Sequence, residues 1–127
     1  MARTTEPEFV GQRLGRFVAA SHLDFIPLAA RHEAKRALLN FLGCAIGVAH
    51  APPIEMEMRG LLPLSVAERV TVVSRAAQVD TLNAVFINAI GGKLLTYEHT
   101  QLRTVLHPAA PVAQVALAHA TQAVRSP

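Results

Sequence analysis

The stretch Leu28-Ala-Ala-Arg-His-Glu-Ala-Lys-Arg-Ala-Leu-Leu-Asn-Phe-Leu-Gly-Cys-Ala-Ile-Gly-Val48 carries a helical pattern that organises the rest of the chain. Ala30, Ala34, Leu38, Phe41, Leu42, Ala45 and Ile46 fall on one stripe. Arg31, Glu33, Lys35 and Arg36 lie mostly off it, near the start. Pro27 stands where the helix begins, because a missing N–H costs nothing in the first turn. The second half is apolar nearly all round, which predicts a central, buried element. Gly43 and Gly47 would admit a second helix at close range. Ala51-Pro-Pro ends the run.

Working outward, residues 7–20 read as a first helix on the spacing of Val10, Leu14, Phe17 and Val18, broken by Ser21 and His22. Residues 54–64 read as a short helix around Met56, Leu61 and Leu62. Val70, Val72 and Val73 predict an extended segment or lone strand. Asp80 is a candidate N-cap for a helix with Leu82, Val85, Phe86, Ala89 and Ile90 on one face, weakened near its end by Gly91-Gly92. Leu94 to His107 is polar and aperiodic. Pro108 to Val124 is a last helix, with Val112, Val115, Ala116 and Ala123 expected to face inward. The sum is an all-α fold with one short extended segment, in a single domain spanning residues 1–127.

A chain of 127 residues, 51% of them hydrophobic and with mean hydropathy +0.30, buries too much apolar surface to be disordered. The most apolar window, Ala37 to Ala49, is shorter than the roughly 20 residues a bilayer crossing needs, so no membrane partner is expected. The N-terminus lacks the apolar stretch of a signal peptide. A single cysteine, Cys44, excludes an internal disulfide and fits a reducing, cytoplasmic setting. The formal charge of +3 and pI near 9.8 come from scattered arginines, with Lys35-Arg36 the only basic pair. Without a clustered basic face or interleaved aromatics, nucleic acid is not an expected partner, whereas a small anionic substrate is compatible.

No phosphate loop, paired cysteines or nucleophile elbow is present. The histidines at 22, 32, 50, 99, 107 and 119 never pair at helical i, i+4 spacing, so no metal is expected. Thr96-Tyr97-Glu98-His99-Thr100-Gln101, followed by Val105-Leu106-His107-Pro108, is the segment that rises above background. It sets hydroxyls, imidazoles and a carboxylate between two apolar helices, where a rigid scaffold can aim them. Proline after His107 pushes that residue out of the α region, placing it just ahead of a helix N-terminus suited to a carboxylate.

Three blocks together resemble the MmgE/PrpD family: Ala84-Val-Phe-Ile-Asn-Ala, the Tyr97–Thr100 loop, and Val105-Leu-His-Pro-Ala-Ala-Pro-Val112. Leu14-Gly-Arg-Phe-Val and Ala34-Lys-Arg-Ala-Leu-Leu-Asn-Phe-Leu-Gly-Cys-Ala45 are similar to that family's N-terminal helices. The resemblance implies the N-terminal part of an all-α domain, in enzymes that carry a further α+β lid and are usually homodimers. It implies cofactor-independent lyase, decarboxylase or epimerase chemistry on small polycarboxylates, as in 2-methylcitrate dehydratase. Thr100 and His107 match family active-site positions and are the candidate catalytic residues, with Glu98 and His99 the candidate substrate-binding residues. The family loop commonly reads Asp-Phe-Asp-Asp-Thr-His, so Thr96, His99 and Gln101 depart from it. Family enzymes are considerably longer, and their lid and further catalytic groups lie beyond the position of Pro127. The resemblance therefore implies a truncated protein inactive alone, working as a homo-oligomer or with a complementing lid-domain chain. The alternative is a non-enzymatic helical interaction or dimerisation module.

Overall fold

The computed structural model describes residues 9–67, 69–97 and 100–125. The helices are α1 (Val10–Ala20), α2 (Leu28–Gly47), α3 (Pro52–Leu61), α4 (Thr81–Lys93) and α5 (Ala109–Arg125). Single 3-10 turns lie at Leu23–Phe25 and Leu62–Leu64, and two short strands, β1 (Val70–Thr71) and β2 (Gln78–Val79), complete the order. The fold is all-α with a minimal hairpin. No single helix among the described residues is long and apolar enough to cross a membrane.

Contacts group the chain into Met1–Glu33 and Ala34–Pro127, with α2 running through the boundary. In the first unit Gln12 reaches back to accept from the Phe9 N–H at 3.1 Å, satisfying a donor at the start of α1. Ser21 ends the helix, its hydroxyl donating to the Phe17 carbonyl at 2.6 Å while its backbone N–H turns back to Val18. Arg31 Nε donates to the Ile26 carbonyl at 2.8 Å, tying the connecting turn to the first turn of α2. None of the described residues in this unit is buried, and Val10, Leu14, Phe17 and Val18 form an exposed apolar stripe.

The second unit holds the core. Val48, Ile54, Met58, Val70, Val72, Val79, Ala84, Ile87 and Ala118 form one apolar cluster, and Phe41, Ala45 and Ala110 another. The valines at 70 and 72 turn inward and Thr71 outward, the period of two that a strand imposes. The run does not stand alone as a lone strand would. It pairs antiparallel with β2, Val70 opposite Val79 and Thr71 opposite Gln78, through a turn in which Ser74 takes a left-handed φ of 59°. Asn88 on α4 fastens this hairpin. Its Nδ2 donates to the Thr71 carbonyl at 3.1 Å and its Oδ1 accepts from the Val73 N–H at 2.8 Å.

Asp80 is the N-cap of α4, its Oδ1 accepting from Leu82 N at 3.0 Å and Asn83 N at 3.2 Å. Ser65 Oγ accepts from the Asp80 N–H at 2.8 Å, fixing the chain's approach. The face of α4 named from the sequence is only partly inward, with Val85 and Ile90 half-buried against the core. Leu82 and Phe86 are exposed, and the buried residues are Ala84, Ile87, Asn88, Gly91 and Gly92. The physical reason is close packing. A Cβ at Gly92 would overlap the Phe41 ring and come within 3.2 Å of the Ala110 Cβ, so only the small-residue face fits there. Thr81 at the start of α4 meets Gln122 late in α5, while Gly92 lies beside Ala110, so the two helices run antiparallel.

The same packing overturns the expectation for α5. Val112, Val115, Ala116 and Ala123 are exposed, while Ala110, Gln114 and Ala118 are buried at i, i+4, i+8. α2 is likewise one-sided: Phe41, Cys44 and Ala45 are buried, but Leu39 and Ile46 face outward. Among the described residues, a Cβ at Gly43 would meet nothing within 4 Å and one at Gly47 would meet Leu95 at 3.6 Å, so the close approach expected at that pair occurs at Gly91 and Gly92 instead.

Candidate active site

α4 ends at Lys93, and Thr96 then turns the chain in a left-handed conformation, φ 57°, with its N–H donating to the Lys93 carbonyl at 2.9 Å. Tyr97 follows, largely exposed. Glu98 and His99, the candidate substrate-binding residues, lie outside the described residues. From Thr100 the chain folds back on itself. Gln101 and Leu106 form an isolated antiparallel bridge, the Gln101 N–H donating to the Leu106 carbonyl at 2.9 Å.

That bridge explains the site. Residues directly opposite in an antiparallel pair share a face, and the next pair outward from Gln101 and Leu106 is Thr100 and His107. Thr100 Oγ1 and His107 Nδ1 are 3.2 Å apart, a hydrogen bond between residues seven apart whose donor depends on the imidazole tautomer. Thr100 is exposed and His107 half-buried. The two candidate catalytic residues are brought together by local chain reversal.

The reversal is held at its tip by Gln101. Its side-chain oxygen accepts from both the Thr104 N–H at 2.8 Å and the Thr104 hydroxyl at 2.7 Å. Val105 completes the turn at φ 52°, a conformation unfavourable for a β-branched residue. His107 and Pro108 then lead into α5, where the Val112 N–H already donates to the Pro108 carbonyl at 3.1 Å. The first turn of α5 contains no acidic residue.

A second polar cluster lies at the hairpin turn. Arg75 makes a bidentate pair with Glu55, Nη1 to Oε1 at 2.7 Å and Nη2 to Oε2 at 3.0 Å, and Nη1 also contacts His50 Nδ1. The hydrogen bonds from Arg75 hold the Glu55 carboxyl below the ordinary glutamate range. Partial burial opposes them, and the charge of Arg75 and the contact with His50 reinforce them. Arg75 also lines a surface recess of about 510 Å³ with Leu62, Thr71, Ala76, Ala77 and Gln78; Thr100 and His107 are not part of it. Neither Arg75 nor Asn88 was a sequence candidate. Each acts through a partner far along the chain, which spacing alone does not reveal. Among the described residues no group of three histidine, cysteine, aspartate or glutamate side chains converges as a metal site.

The sequence profile of the MmgE/PrpD N-terminal domain matches residues 12–127. The chain belongs to the MmgE/PrpD family. No curated protein and no solved structure matches it. The matched span takes in the helices of both units and the whole Thr96–Pro108 loop, so this loop is part of the MmgE/PrpD domain itself and not an appendage to it.

Proposed function

We propose that this MmgE/PrpD domain supplies Thr100 and His107 to an active site for small polycarboxylates, in lyase or isomerase chemistry of the 2-methylcitrate dehydratase type. The observation that carries the reading is the Thr100–His107 hydrogen bond at 3.2 Å, held just ahead of the N-terminus of α5. His107 acts in proton transfer next to a substrate carboxylate, or in binding that carboxylate. Thr100 fixes the orientation of the ring through Nδ1. A carboxylate lying near the start of α5 would meet the positive end of the helix and first-turn N–H groups that have no partner four residues back. Glu98 and His99 are proposed to contribute to substrate binding from the adjoining segment.

The pair lies on open surface: Thr100 is exposed, and so are Tyr97, Leu102, Val105 and Leu106 around it. Stabilising a developing negative charge requires positioned groups in a site that excludes water. The domain alone is therefore expected to bind a polycarboxylate weakly and to turn it over slowly or not at all. A complementing lid-domain chain or a second copy would supply the remaining walls. The test is titration of cis-aconitate or 2-methylcitrate into the protein, followed by the His107 ring resonances. In the wild type, perturbation is expected at the His107 ring and at backbone amides of the loop; the amide shifts are expected to be lost in His107→Ala and both to be weakened in Thr100→Val. Binding that survives His107→Ala unchanged would sink the reading.

A second reading, a non-enzymatic interaction module, is favoured by the exposed apolar residues of α1 and by Val112 and Val115 on α5. Light scattering behind size-exclusion chromatography discriminates, since a monodisperse dimer indifferent to polycarboxylates favours the module.

A further inference from the structure

We propose that Gln101 is a positioning residue for the Thr100–His107 pair, acting through Thr104. This inference rests on the proposed role of that pair. Nothing in the chemistry of a glutamine makes it an acid or base, and its side chain points its oxygen into the turn. That oxygen accepts two hydrogen bonds from one residue, the Thr104 N–H at 2.8 Å and the Thr104 hydroxyl at 2.7 Å. The backbone repeats the closure more weakly, Thr104 N–H to the Gln101 carbonyl at 3.3 Å.

The clasp matters because the turn it closes is strained. Val105 sits at φ 52°, a conformation unfavourable for a β-branched residue that persists only if its surroundings hold it. A single bridge, Gln101 to Leu106, is too little on its own to hold two chain segments in register. Register is what the site depends on. A slip of one residue in an antiparallel pair turns the side chain to the opposite face, which would carry His107 away from Thr100. Gln101 therefore sets the alignment of a pair it does not touch. The Gln101 side chain is an uncharged amide, so its oxygen accepts both Thr104 donors whatever the pH.

The experiment reads the imidazole of His107 in the protein without substrate, by long-range nitrogen–proton correlation. Its outcome is thus independent of whether a polycarboxylate binds. In the wild type the ring nitrogen signals are expected to stand apart from the averaged pattern of a solvent-exposed histidine, because Nδ1 is hydrogen-bonded to Thr100. Gln101→Ala is expected to collapse that separation toward the averaged pattern of a solvent-exposed histidine, with helical circular dichroism unchanged. Gln101→Glu keeps the acceptor and is expected to restore the wild-type pattern above the titration range of the carboxylate. Thr104→Ala, which removes one of the two bonds at an exposed position, is expected to give an intermediate pattern and serves if Gln101→Ala does not fold. A folded Gln101→Ala or Thr104→Ala with wild-type His107 signals would overturn the proposal, as would a Gln101→Glu protein as disturbed as Gln101→Ala.

Discussion

At the scale of single residues, the two neighbouring glycines at the end of α4 have opposite roles. A Cβ on Gly91 would meet Ala45 at 3.6 Å and the Ile54 Cδ1 at 3.8 Å, ordinary van der Waals contact. Gly91→Ala should therefore stabilise the protein by up to about 1 kcal/mol, from helix propensity alone. Gly92→Ala must displace the Phe41 ring, and that ring is only 1% exposed with nowhere to move. It should destabilise by roughly 1–3 kcal/mol, the usual cost of overpacking. Urea denaturation of the two variants side by side checks the pair, and a matching sign for both would contradict the packing described. The sequence made Gly91-Gly92 legible only as a weak point in a helix. Which glycine touches a ring depends on Phe41, which is distant in sequence.

Among the elements, Asn88 and Asp80 hold the hairpin and α4 together. Replacing Asn88 by Leu strips the Thr71 carbonyl and Val73 N–H of their partners, and should cost about 1–3 kcal/mol. Its thermal unfolding should drop accordingly, with the loss of hydrogen-exchange protection concentrated in residues 70–79. Asp80 and Glu55 both contribute to the loss of stability in acid. Backbone hydrogen bonds from Asn83, and after them from Leu82, hold the Asp80 carboxyl below its ordinary value of 3.8 against partial burial, and Ser65 and the Asn83 side chain add to them. Arg75 does the same for Glu55, ordinarily 4.5. Both groups have folded-state values below their unfolded ones. Their stabilisation is therefore fully present above about pH 5 and is lost as pH falls through the lowered values. Asp80→Asn, which keeps a cap acceptor, should flatten that acid-side decline, and a pH series of melting curves will show it.

Helix number and order were legible from hydrophobic spacing, and so was the Asp80 cap, because these are local properties. Which face is buried was not. α4 and α5 are apolar around most of their circumference, so tertiary packing chose the side that admits the closest approach. It selected Gly91, Gly92, Ala110 and Ala118 over the larger Leu82, Phe86, Val112 and Val115. The loop was legible by its residue types and its likeness to a family. Its geometry was not, since one bridge and a glutamine clasp have no periodic signature.

For the whole molecule, the profile match places the chain in the MmgE/PrpD family, and its architecture is all-α. Several large apolar side chains are exposed, including Phe17, Phe25, Phe86 and Val112. The proposed chemistry rests on the pair at 100 and 107. Nitrogen-15 spectra of the His107 ring should be recorded during titration with cis-aconitate, for the wild type and for Thr100→Val. A saturable shift of the ring signals is expected in the wild type, with at least several-fold weaker binding in Thr100→Val and no comparable shift at His119, which lies within α5. Ring signals that stay fixed through millimolar polycarboxylate, or that move equally at His107 and His119, would contradict the proposal.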